Sequence, residues 1–178
     1  MYGFNFKVFR GDVGTYDTWR AAHDGQQFQL SYWPEGYTPV ETLPMPEQLR
    51  VAVYHKTESN SDFPIESCVN SIIQKTEWKL ETIYLDGTGT DDAYREMIRQ
   101  GENGVFDIIV INPLDWFVGS AGPLHIEDAR RMTKQDRPVG IYFPWLDMDS
   151  NDERCVPILT VLAQYEEAKR HGGKDIRE

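Results

Sequence analysis

The sequence predicts an α/β domain, with a mainly parallel sheet of about four to five strands flanked by helices. Three observations lead there. Four short apolar runs rich in Val, Ile and Tyr recur from residue 49 onward, the signature of strands buried on both faces. Helix-length segments separate them. The connections between strands and helices are short, so the alternation reads as strand, helix, strand, repeated on one sheet.

The strands are LRVAVY (49–54), LETIYLD (80–86), FDIIVIN (106–112) and VGIYFPW (139–145). The helices are predicted over 64–76, 91–103, 122–136 and 153–170. Asp91 and Asp92 open the second of these, where acids suit a helix N-terminus. In the last, Val156, Leu159, Leu162 and Ala163 form one stripe, and Glu166, Glu167, Lys169 and Arg170 gather toward its end. Pro157 fits only near a first turn, which starts this helix near Glu153. Cys68 and Cys155 each lie in an apolar helical pattern without metal-ligand spacing, as buried thiols do.

Residues 1–48 have a different texture, with aromatics scattered among Gly, Asp and Pro. NFKVF and QFQLSYW read as two strands, and YTPVETLPMPE, with its three prolines, as a linker. The expected organisation is therefore a small N-terminal extension over 1–48, a β-hairpin followed by the Pro-rich linker, and an α/β domain over 49–178.

Charge narrows the function classes. The chain carries 29 acidic against 18 basic residues, a formal net charge of −11. DNA affinity comes from Lys and Arg neutralising phosphates, so this chain alone is expected to bind duplex DNA weakly or not at all. No apolar run has the length of a membrane span, and MYGFNFKVFRGD lacks the basic head and apolar stretch of a secretory signal. A cytoplasmic location without membrane contact is expected.

Several local patterns fall short of a site. DGTGTDD (86–92) follows a strand and opens a helix, where a loop can cradle phosphate, but it has two glycines rather than three and no GK[ST]. A tight turn is the simpler reading, and a phosphate-binding or small-ligand domain is a third-ranked function. DMDSNDE (147–153) begins like a calcium loop, then places Asp152 where Gly is needed and Ile158 where the bidentate Glu belongs. It reads as a solvated loop capping the next helix. His23, His55, His125 and His171 include no i, i+4 pair, and no Gly-x-Ser-x-Gly elbow is present. No metal and no cofactor are expected. The tryptophans at 19, 33, 78, 116 and 145 do not interleave with basic residues and read as core or interface anchors.

Taken in order, VAVYHKTES, IYLDGTGTDDAYREMI, GVFDIIVINPLDWFVGS and VGIYFPWLDMDS leading into VPILTVLAQYEE resemble the catalytic domain of the serine recombinases, the resolvase and invertase family, over about residues 49–170. The resemblance implies a resolvase-like fold and, in an active member, a serine that joins to a DNA phosphate while arginines stabilise the charge of the transition state. It also implies where those groups belong. The first strand of the family ends Tyr-x-Arg-x-Ser-Thr, which sets Tyr54 as the anchor, Lys56 at the arginine and Glu58 at the nucleophile, with Ser59 one place beyond. An Arg-Pro pair before the next helix falls on Asp91 and Asp92, and Asp-Arg-Leu-x-Arg falls on Asp115, Trp116, Phe117, Val118 and Gly119.

The departures fall on the charged positions, whereas the apolar ones match. Loss of several phosphate-stabilising contacts exceeds the roughly 3–4 kcal/mol typical of one such donor. The expectation is a degenerate, non-catalytic member that acts through protein contacts, as a homodimer or with a recombinase partner of mobile-element type, pairing through its last helix. The remnant-site positions are Tyr54, Lys56, Glu58, Asp86, Asp91, Asp115, Trp116 and Gly119. The plain reading of Lys56, Glu58 and Asp86 is a solvated polar rim at the C-terminal ends of parallel strands. The rival is an active or partial site-specific recombinase with Ser59 as nucleophile and Lys56 beside it.

Overall fold

The computed structural model describes residues 2–24, 27–32, 48–57, 65–75 and 77–172. Strands β1 (Tyr2–Arg10), β2 (Thr15–Asp24) and β3 (Gln27–Tyr32) come first, followed by β4 (Leu49–Lys56), helix α1 (Ile65–Ile73), β5 (Trp78–Asp86) and α2 (Asp92–Glu102). Then come β6 (Ile108–Asn112), α3 (Leu114–Val118), α4 (Gly122–Lys134), β7 (Gly140–Phe143), β8 (Met148–Asp149) and α5 (Cys155–Gly172). One eight-stranded sheet runs β3-β2-β1-β5-β4-β6-β7-β8. Its middle is parallel, β1 with β5, β5 with β4, β4 with β6 and β6 with β7. The remaining pairs, β1 with β2, β2 with β3 and β7 with β8, are antiparallel.

The apolar runs behave as predicted because successive side chains of a strand point to opposite faces. On β4, Val51 and Val53 join Cys68, Val69 and Ile72 of α1 in one core. Ala52 and Tyr54 join residues of α2, α3, α4 and α5 in the other. A strand covered on both faces has no polar side to show, hence its continuous apolar reading. Both cysteines are buried free thiols, which burial pushes up to about 12 for Cys68 and about 11 for Cys155.

The N-terminal segment holds more structure than its sequence suggested. NFKVF lies in β1 and QFQLSY in β3, and between them TYDTWRAAHD forms β2, a strand not read from the sequence. Its mixed sequence, with polar residues on both sides of Tyr16 and Trp19, lacks the continuous apolar signature of the parallel strands. Rather than standing apart, the segment continues the main sheet, since Lys7 to Arg10 pair with Thr82 to Leu85. The turn from β1 to β2 uses Gly14 at φ 69, whose amide donates to the Arg10 carbonyl at 2.8 Å.

The last helix turns its apolar stripe into the core. Leu159 and Ala163 are buried inside the chain, and Val156 and Leu162 pack against the same core. The apolar stripe read from the sequence is thus largely covered within the molecule. Outward-facing apolar residues on α5 are Val161 and Tyr165, each 63 % exposed.

Candidate functional site

Strands β4 and β5 end side by side, with Lys56 paired to Asp86 in register. Beyond them the chain turns through Gly87 to Asp91 into α2, so the strand ends and a helix N-terminus meet at one place. This is the end of the sheet where α/β folds put their ligands.

Asp86 is fully buried. Its Oδ1 accepts the Ala93 amide at 3.0 Å and the Thr90 hydroxyl at 3.2 Å. Its Oδ2 accepts the Tyr94 amide at 3.0 Å and the Tyr54 hydroxyl at 3.1 Å. A buried carboxylate needs such donors, because an uncompensated one would be several kcal/mol out of balance. The two amides belong to the first turn of α2, which has no partners of its own for them. Asp86 therefore caps α2 from the preceding strand, and Asp91, at the usual capping position, makes no side-chain cap.

Asp91 faces the lysine instead. The Lys56 ammonium donates to the Thr90 carbonyl oxygen and to Asp91 Oδ1, the latter at 3.1 Å. The Lys56 side chain is only 7 % exposed, against 46 % for Asp91. This corrects the reading of a solvated rim: Lys56 and Asp86 are buried, because the capped helix N-terminus folds down over the strand ends. Glu58 and Ser59 lie outside the described residues.

Aromatic rings close the other side. The Trp116 ring, half-buried on α3, packs against Tyr54 at 4.6 Å, Tyr94 at 5.2 Å and His125 at 4.4 Å between centroids. The Tyr54 and Tyr94 hydroxyls are pushed well above the ordinary tyrosine value, first by burial and then by the adjoining Asp86 and Asp128 carboxylates. Both stay protonated as donors, Tyr94 to Asp128 at 3.1 Å. His125 sits among these rings with Nδ1 2.8 Å from the Phe117 carbonyl, and burial lowers its pKa. Asp115 is exposed on α3. Gly119 ends α3 where a Cβ would lie 3.0 Å from the Asp115 carbonyl oxygen, so a longer side chain there would strain the turn.

Of the remnant positions, Tyr54, Lys56, Asp86, Asp91 and Trp116 thus come together in one cluster. Residues that the sequence did not single out complete it: Thr90, Tyr94 and Gly11. A Cβ on Gly11 would lie 2.1 Å from Asp86 Oδ1 and 3.0 Å from the Ala93 amide nitrogen, so the end of β1 passes directly over the buried carboxylate. No pattern within residues 1–48 signals that contact, which depends on β1 pairing beside β5. Several arginines among the described residues are held in ion pairs. Arg50 and Arg137 hold Asp107 at the far end of the sheet, Arg99 holds Glu96, Arg131 holds Glu102 and Asp128, and Arg154 holds Asp152. In DMDSNDE, Asp152 accepts the Arg154 amide ahead of α5, and Asp149 accepts the Asn151 amide. The DGTGTDD turn offers α2 amides to Asp86, which leaves its phosphate-cradle reading without those two donors.

No protein-family model and no curated protein matches the sequence. Among solved structures, the crystal structure of the N-terminal catalytic domain of TP901-1 integrase aligns with a TM-score of 0.50 and 18 % identity, over 68 % of this chain and 97 % of that one. The fold resembles a serine recombinase catalytic domain. That likeness establishes the architecture the sequence predicted, a mainly parallel sheet flanked by helices. Among the described residues, no helix is long and apolar enough to cross a membrane.

Proposed function

We propose that the chain is a non-catalytic, degenerate relative of the serine recombinase catalytic domain that acts through protein contacts, as a homodimer or with a recombinase partner. In this reading residues 49–178 are the resolvase-like unit, 1–48 are an extension that lengthens its sheet, and the protein works in the cytoplasm. The observation that carries it is the state of the strand-end cluster: the buried cation Lys56 is paired with a carboxylate, and Asp86 beside it is held by four donors. A phosphoryl group with its developing negative charge calls for cations aimed at it. Carboxylates at that place oppose it. The exposed Val161 and Tyr165 on α5 support pairing through the outer face of that helix.

Two measurements test this. Incubated with supercoiled DNA, the full chain is expected to give no covalent protein–DNA adduct, and light scattering after size exclusion is expected to give a dimer that Val161→Glu dissociates. A strict monomer at high concentration refutes the pairing. Likeness in fold to the TP901-1 domain, a catalytic one, favours one rival, an active or partial recombinase with Ser59 as nucleophile. An adduct that disappears in Ser59→Ala would establish that rival.

A further inference from the structure

We propose that Asp91 is a built-in counter-anion: its carboxylate occupies the place on Lys56 that an oxygen of an inorganic oxyanion such as phosphate would take, so the domain keeps this seat filled from within. The proposal deepens the non-catalytic reading and rests on it in one respect, that no DNA phosphate takes this seat in the wild-type chain.

Three observations and one chemical equivalence converge on it. A lysine ammonium with a side chain 7 % exposed requires partners, since desolvating a charge without them is strongly unfavourable. Its two partners are unlike in kind: the Thr90 carbonyl is backbone, while Asp91 is a side chain almost half exposed at the solvent side of the pair. Asp91 also precedes α2, where an acid ordinarily caps the helix, yet it makes no cap because Asp86 already holds the Ala93 and Tyr94 amides. Helix capping therefore does not explain where its carboxylate points, whereas the lysine does. Lastly, a carboxylate and a phosphate oxygen satisfy an ammonium by the same charge-assisted bond, so one substitutes for the other without rearranging the donor.

The consequence is a latent site, opened by removing Asp91 and closed again by removing Lys56. Thermal unfolding of the full chain in sodium phosphate and in sodium chloride of equal ionic strength separates specific binding from general salt effects. For Asp91→Ala, phosphate is expected to raise Tm above the chloride value in a saturable way, as ligand linkage requires. The wild type and the Asp91→Ala/Lys56→Met double variant are expected to respond alike to the two salts. Asp91→Asn, which keeps the side-chain volume, gives a second reading and should show a smaller saturable excess. An equal phosphate response in the wild type, or none in either single variant, overturns the proposal. So does loss of the fold in both single variants, since the carboxylate would then be a structural requirement rather than a replaceable counter-ion. An adduct with supercoiled DNA would instead refute the non-catalytic reading, so the two failures are distinguishable.

Discussion

Where β4 and β6 begin, two guanidinium groups surround one carboxylate: Arg50 donates to Asp107 through its amide and its side chain, and Arg137 adds a further contact at 3.0 Å. Where β4 and β5 finish, Asp91 pairs with the Lys56 ammonium and Asp86 accepts the first amides of α2. The first arrangement pulls Asp107 down to about 2, chiefly through the Arg50 hydrogen bonds. It is an ion-pair clamp at the rim of the sheet. In the second, Lys56 and Asp86 are buried while Asp91 reaches the solvent side. Among the described residues, Arg50 and Arg137 thus sit at the end of the sheet opposite the strand-end cluster.

The sharpest way to break this contrast is to remove the anion from each end. Asp86→Ala leaves the Tyr54 and Thr90 hydroxyls and two helix amides without their acceptor, and all of these bonds except the one from Thr90 are buried. An unsatisfied buried donor loses about 1–3 kcal/mol, so a total of about 3 kcal/mol or more is expected in urea unfolding. Gly11→Val should be comparably severe, because its Cβ would collide with the same carboxylate and push β1 off β5. Asp107→Ala, at the partly exposed end, should lose roughly 1–2 kcal/mol, the scale of one charged hydrogen-bonded pair. Equal losses at both ends would erase the distinction between a buried cap and a rim clamp.

How far the sequence reveals these two ends differs for a physical reason. Periodicity exposes burial, so the runs at 49–54 and 106–112 identify strands and place the fold. Resemblance then brings Lys56, Asp86 and Asp91 to the same strand ends. Capping across a turn leaves no such period. Asp86 reaches amides seven and eight residues along the chain, a distance no N-cap pattern describes. Gly11 is further removed, since its contact exists only after β1 pairs in parallel beside β5. The mixed composition of β2 and the short length of α3 carry too little apolar signal to be read, and the stripe on α5 is visible as apolar without revealing which partner covers it.

Acid should loosen the two ends in sequence. Burial lowers the pKa of His125 and of His55, the latter 3.1 Å from Asn112 at the end of β6. For a base whose folded pKa is depressed, the unfolded chain binds the proton more readily, so stability is complete above 6.5 and is lost as pH falls below it. Asp107 has the carboxylate pattern: its contribution is present above 3.8 and disappears as pH falls toward about 2. Urea midpoints are therefore expected to decline between pH 6.5 and 5 through the site end, and His125→Gln should flatten that part of the curve while the decline below pH 4 persists. A His125→Gln profile with an unchanged slope above pH 5 would assign the early loss to His55 or elsewhere.

The smallest effect belongs to Arg137. Its side chain is 64 % exposed and shares Asp107 with Arg50, whose bonds remain when Arg137 is cut back. Exposed pairs contribute about 0–1 kcal/mol and are screened by salt. Arg137→Ala should consequently lower Tm by about 1–2 °C at low ionic strength, given the roughly 2–4 °C per kcal/mol of a domain this size, and by less in 1 M salt. Arg50→Ala removes the contacts to Asp107 and to the Gly104 carbonyl together and should exceed it several-fold. If Arg137→Ala instead matched Arg50→Ala, the two guanidinium groups would be acting as one cooperative unit. The rim clamp would then be as tightly organised as the buried cap, and its partial exposure would no longer explain why this end tolerates the loss of a partner.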